Sequence, residues 1–182
     1  DEEVATEITL LSKNKTTAEK VLSAKRAYFH DLLNDKKDIE PRKGFREFLD
    51  WMKSLGISMA IGTVTELNIV THLLKQANLV NEFSPNHIVA KENVSKPKPS
   101  PDVYYETAHR MGISPNSQLV FEDSIVGLNS ARRAGCRLAA IPTIQLPNFI
   151  QSLYKAGAEQ VFLSWEDEKM KSFVLQLIED KR

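Results

Sequence analysis

From residue 57 onward, short apolar runs alternate with segments whose apolar residues recur every three or four positions. The runs cover 57–62, 87–90, 118–121, 137–141 and 160–162. The helical stripes cover 67–76, 101–111, 125–134, 147–156 and 168–180. A helix between two strands returns the chain to the same end of the sheet, so successive strands pair in parallel. The pattern therefore predicts an α/β fold: a Rossmann-like parallel sheet with helices on both faces.

The first 41 residues read differently, as helix only. Thr16-Thr17-Ala18-Glu19 fits a capping box, and Leu22, Tyr28, Phe29, Leu32 and Leu33 follow at helical spacing, which predicts a helix over 16–34. Residues 1–15 have weak periodicity. Asp35-Lys36-Lys37-Asp38 is a polar break, and Pro41 and Gly44 lead into a second helix with the stripe Phe45, Phe48, Leu49, Met52 and Leu55, stopped at Gly56. The expected organisation is a helical piece over 1–41 and an α/β core over 42–182.

Charge and cysteine content exclude several classes. Lys and Arg total 24, as do Asp and Glu, so no basic excess is present to neutralise a nucleic-acid backbone. No apolar run approaches the roughly 20 residues of a membrane helix, and no basic-then-apolar leader opens the chain. Cys136 is the single cysteine, which rules out an internal disulfide and fits a reducing compartment. These features predict a soluble, cytoplasmic protein that binds neither nucleic acid nor membrane; they leave its oligomeric state open.

Four stretches carry chemistry. Glu122 and Asp123 end the apolar run Leu119-Val120-Phe121, and Ser124 then starts a helix. Acids at the carboxyl end of a buried parallel strand point into the ligand crevice of an open α/β sheet. Adjacent carboxylates there favour a cation, and all-oxygen ligands suit Mg²⁺; a plain helix cap is the competing reading. Lys98 lies between Pro97, Pro99 and Pro101, which fix how it leaves the backbone. Its ammonium can balance the acids and grip a phosphate, although Lys96, in the same Lys-Pro context, competes for the role. Thr63 and Val64 follow Gly62 at a strand end, where a hydroxyl and free amides make an anion nest; a threonine helix cap is the alternative. Gly127, Ala131, Ala134 and Gly135 read as small residues that let a helix sit close to the sheet. The histidines show no metal-ligand spacing, and Cys136 reads as buried rather than nucleophilic.

In this order, Thr63, the segment Lys98-Pro99-Ser100-Pro101-Asp102, and Phe121-Glu122-Asp123-Ser124 with Gly127 and the Ala131 to Gly135 helix end resemble the motifs of the haloacid dehalogenase superfamily. The similarity is to its β-phosphoglucomutase-like and phosphoglycolate-phosphatase-like branch, and covers about residues 16–163. The segment from Pro41 to Gly44 resembles that branch's junction between a helical cap and the core, which makes the N-terminal helix the remnant of a cap. The resemblance implies a Mg²⁺-dependent hydrolase of small phosphate monoesters acting through a phosphoaspartate. Carried over, Asp123 ligates the metal with Glu122 ligating or assisting, Lys98 stabilises the nucleophile and the phosphoryl oxygens, and Thr63 with the Val64 amide holds the phosphate of a small phosphorylated metabolite.

One motif of the family is absent: Asp-x-Asp-Gly at the end of the first core strand, which supplies the nucleophile and the general acid. Asp1-Glu2-Glu3 does not match it, and Asp35 and Asp50 fall in linker and helix. In the family that strand lies between those ending at Thr63 and Asp123. The resemblance therefore implies that residues ahead of Asp1 supply the strand and that the 182 residues alone are inactive. Two other functions stay open: a phosphoglucomutase using the same residues, and a non-catalytic phosphate-binding or interaction domain. A metal-free dehalogenase fits a Glu-Asp pair less well.

Overall fold

The computed structural model describes residues 2–13, 15–34 and 39–180. The chain divides into two compact units, Asp1–Ile39 and Glu40–Arg182.

The first unit contains α1 (Glu2–Leu11) and α2 (Ala18–Asn34), which pack together. The weak periodicity of residues 1–15 concealed α1: among its described side chains the small Ala5 is the buried one, while Leu10 and Leu11 stay exposed. The α2 cap sits one residue beyond the expected box: the Thr17 hydroxyl accepts from the Lys20 amide at 3.3 Å, since the helix starts at Ala18. The side chains of Phe29, Leu32 and Leu33 lie outside the described residues, as does the break Asp35-Lys36-Lys37-Asp38.

The second unit opens on Gly44, whose φ of +82° starts α3 (Phe45–Ser54). A Cβ there would sit 2.9 Å from the Glu166 amide nitrogen, so both the backbone angle and the space call for glycine. α3 buries Phe48, Leu49 and Met52, whereas Leu55, expected in the same stripe, caps the helix and is exposed.

Every strand pair is parallel. β1 (Ile61–Gly62) pairs with β2 (Ile88–Val89). β3 (Leu119–Glu122) pairs with β4 (Arg137–Ala140), which pairs with β5 (Gln160–Val161). Between and after them lie α4 (Leu67–Gln76), α5 (Asp102–Met111), α6 (Ile125–Ala134), α7 (Pro147–Lys155) and α8 (Glu168–Glu179). Strand side chains alternate between faces. Val120, Leu138 and Ala140 join Val103 of α5, Leu128 and Ala131 of α6 and Leu153 of α7 in one cluster. Leu119, Phe121 and Ala139 face Phe48 and Met52 of α3 and Met170 and Val174 of α8 in another. A third cluster seats α4, through Val70 and Leu74, against Leu49, Phe83 and Ile88. The sheet layer is thus covered on both faces, as α/β packing requires.

The single sheet expected from the sequence is split. Among the described residues it forms two ladders, β1-β2 and β3-β4-β5, and β1 does not pair with β3. The strand expected over 57–62 is reduced to Ile61–Gly62. Its apolar residues are present, but a ladder needs a neighbouring strand, and 57–60 have none. Instead 57–62 form one wall of a cavity of about 550 Å³ and 117–122 form the other, with Phe45, Phe48 and Trp165 between them. Phe48 stacks edge-on against Phe121, centroids 5.4 Å apart, and lies 5.2 Å from Trp165. Thr63 donates its amide to Val89 O toward β2, and in a parallel ladder neighbouring residues turn their polar groups to opposite edges. Gly62 therefore presents its carbonyl to the cavity.

Candidate functional site

The proline-rich segment before α5 is fastened at several points. The Asp102 carboxylate accepts from the Lys96 amide at 3.1 Å and from the Ser100 hydroxyl. α6 holds the same segment from the other side, through Ser130 to Ser100 O and Arg133 to Pro99 O at 3.0 Å. The fastening separates the two lysines. Lys96 is exposed, whereas the Lys98 side chain is only 12% exposed and points inward.

The Lys98 ammonium bridges the ends of β1 and β3. It donates to Gly62 O at the end of β1 (3.1 Å), to the Tyr104 hydroxyl (3.0 Å) and to Glu122 Oε1 at the end of β3. The Tyr104 hydroxyl in turn donates to Glu122 Oε1. The other Glu122 oxygen accepts from Ser124 Oγ at 3.3 Å. Ser124 also caps α6 by accepting from the Gly127 amide at 3.1 Å. So the bland reading of this serine as a cap is correct, and the cap doubles as a support for Glu122.

Two residues of this cluster were not singled out in the sequence for chemistry. Tyr104 of α5 is buried, and its hydroxyl reaches Glu122 at the end of β3. Buried Gln118, just before β3, ties α5 in place, donating to Tyr104 O at 2.8 Å and accepting from Thr107 Oγ1 at 2.7 Å. Gly127 reads as a packing residue, yet a Cβ there would overlap the Glu122 carboxylate. Its absence makes the room in which that carboxylate sits. Burial first, and the Glu122 charge second, hold the Tyr104 phenol well above its ordinary range, so it remains a donor at physiological pH.

The other site residues lie beside these. Asp123 follows Glu122, is exposed, and its carboxylate makes no hydrogen bond or ion pair with the described residues. Thr63 follows Gly62; its Oγ1 accepts from the Thr65 amide at 3.1 Å, forming a tight turn. Val64 is exposed at that turn. Thr63 is not the cap of α4, which begins at Leu67. The first α4 amide is taken by Glu92, 3.1 Å from Leu67 N, a cap drawn from 25 residues away. Lys98 thus contacts the residue before Thr63 and the residue before Asp123, which gathers all five predicted site residues at one end of the two ladders.

The donor set accommodates a hard cation only in part. Asp123 offers an open carboxylate, but both Glu122 oxygens already have partners. Among the described residues no cluster of three or more His, Cys, Asp or Glu side chains could hold a metal. Cys136 is buried beside Gln118, and burial pushes its thiol up to about 11, away from the nucleophilic range. No helix among the described residues is long and apolar enough to cross a membrane.

Comparison with known proteins places the chain in a family. Residues 3–141 match the model of the haloacid dehalogenase-like hydrolases. The protein CbbY of Rhodobacter capsulatus is 37% identical over 105 residues, 55% of this chain and 44% of that protein. The fructose-1-phosphate phosphatase YqaB of Escherichia coli is 40% identical over 77 residues, 42% of this chain and 40% of that one. The chain thus spans less than half the length of these relatives. Among solved structures, a family IA hydrolase of the same superfamily from Entamoeba histolytica superposes with a TM-score of 0.72 at 23% identity, covering 93% of this chain and 76% of that one. With this arrangement of strands, lysine and acid pair, the chain belongs to the haloacid dehalogenase-like hydrolases.

Proposed function

We propose that this chain forms the phosphate- and metal-binding part of a Mg²⁺-dependent hydrolase of small phosphate monoesters, with the N-terminal helices as the remnant of a helical cap. The observation that carries the reading is the Lys98 ammonium, held between the ends of β1 and β3 by Gly62 O on one side and the Glu122 carboxylate on the other. Phosphoryl transfer needs little covalent help from a protein and much positioning and charge. Lys98 supplies fixed positive charge for the phosphoryl oxygens, Thr63 and the Val64 amide hold them, and Glu122 keeps the lysine in place. Asp123 is the open carboxylate that would take Mg²⁺, whose positive charge would offset that of the phosphate. The attacking carboxylate belongs to an aspartate on a strand seated between β1 and β3, where two unpaired edges flank the cavity. That carboxylate forms a bond to phosphorus as the ester oxygen leaves, and water then hydrolyses the phosphoaspartate. The fructose-1-phosphate phosphatase among the relatives supports a phosphorylated metabolite as substrate.

The test is turnover of p-nitrophenyl phosphate and a panel of sugar phosphates by the intact protein with Mg²⁺. Hydrolysis that stops with EDTA and returns with added Mg²⁺ is expected. Binding of inorganic phosphate without turnover of any ester would overturn the proposal in favour of a non-catalytic domain, and isomerisation of a sugar phosphate without net hydrolysis would replace it with a mutase.

A further inference from the structure

An ammonium group has three N–H donors. Those of Lys98 are all engaged within the protein, by Gly62 O, the Tyr104 hydroxyl and Glu122 Oε1. A lysine in this state can donate to a phosphoryl oxygen only if one partner releases it. The three holds are unequal. Glu122 is pressed against Gly127 and also held by Ser124. Tyr104 is buried, its backbone carbonyl is fixed by Gln118, and its hydroxyl closes a triangle of bonds with Lys98 and Glu122. Gly62 O is a carbonyl on a sheet edge facing the cavity, and no other element shares its hold on the lysine.

We propose that Tyr104 is a positioning residue: its hydroxyl pins two of the Lys98 N–H bonds toward Glu122 and itself, so that the third, now on Gly62 O, is the one that turns to the phosphoryl group. This deepens the hydrolase reading and rests on it for its catalytic consequence, though not for the hydrogen bonds themselves. The phenol's direction is fixed: facing an ammonium that only donates, it accepts from Lys98 and gives its own proton to Glu122.

Tyr104→Phe keeps the buried ring and removes only the hydroxyl. Two measurements read its effect. In intact protein, ¹⁵N–¹H spectra of lysine ammonium groups should show a slowly exchanging signal assigned to Lys98 by its loss in Lys98→Met. In Tyr104→Phe its exchange with water should quicken roughly 10-fold, as expected for one lost hydrogen bond to a charged group. In intact protein kcat should fall roughly 10-fold, the scale of losing an orienting partner, with KM changed much less. A merely structural tyrosine would leave both unchanged in the phenylalanine variant, and that result overturns the proposal. If Tyr104→Phe does not fold, 3-fluorotyrosine at position 104 keeps the hydroxyl but alters its hydrogen bonding. It should then shift the Lys98 ammonium signal, and an unmoved signal refutes the contact. Absence of ester turnover by unaltered intact protein counts against the hydrolase reading alone, and the ammonium spectra still decide the role of Tyr104.

Discussion

Replacing Gly127 by alanine tests the site through its packing. The new methyl group would occupy the space of the Glu122 carboxylate, with all three carboxyl atoms inside contact distance. The carboxylate cannot yield freely, because Lys98, Tyr104 and Ser124 hold it. Overpacking at a buried position costs about 1–3 kcal/mol, and a disturbed buried ion pair adds part of the roughly 3–5 kcal/mol lost when one is broken outright. Alanine in place of glycine in a helix returns up to about 1 kcal/mol. The net expectation is a loss of about 2 kcal/mol, which for a chain of this size lowers the melting temperature by about 4–8 °C. Urea denaturation of Gly127→Ala, Glu122→Ala and the double variant measures the coupling directly. With the carboxylate gone, the methyl group has nothing to strike, and the cost of Gly127→Ala should vanish or reverse. A Gly127→Ala protein as stable as the parent, or an equal cost in the Glu122→Ala background, would refute the packing argument.

Two further outcomes follow from the same geometry. In intact protein Lys98→Ala should lower kcat at least ~10²-fold, the scale of removing one preorganised charge donor, while Lys96→Ala should leave it nearly unchanged; steady-state kinetics with an equal effect at both positions would reverse the assignment. Burial raises the Cys136 thiol to about 11 in the folded chain, so it remains protonated after the unfolded thiol, at about 8.5, has ionised. The unfolded chain then binds fewer protons, and stability should be at its full value below about pH 8.5 and decline as pH rises toward 11. Urea midpoints measured across that window should fall less steeply in Cys136→Ala, and identical slopes would contradict the burial argument.

Helices were more legible than strands, for a physical reason. The bounds of α4 and α6 agree with the sequence reading at both ends, and those of α6 are written locally: Ser124 caps it, and Gly135 closes it in a left-handed conformation with φ +83°. Strand limits depend on neighbours. The run 57–62 is apolar because it lines a cavity, but only its last two residues find a partner strand. Similarly, the sequence left Lys98 and Lys96 as candidate lysines, and burial distinguishes them: Lys98 is turned inward and Lys96 is exposed. Asp123 lies just past the end of β3, as the sequence placed it. Tyr104 and Glu92 were not legible, since a tyrosine in an apolar stripe gives no sign of its hydroxyl's partner, and nothing near Leu67 points to a cap 25 residues away.

The divided sheet also bears on how the second unit comes apart. The β1-β2 ladder packs on α4 through Ile88, Val70 and Leu74, Val89 of β2 joins the cluster of β3 and β4, and α5, which touches β1, β2 and α6, braces the two ladders. β4 is bonded along both edges, whereas β1 and β2 share a single two-residue ladder. Local opening is cheapest where few backbone bonds and little apolar surface must be given up. The β1–α4–β2 block, held by the fewer backbone bonds, is therefore the part expected to loosen before β3–β4–β5, and Lys98 bridges the two at Gly62 O and Glu122.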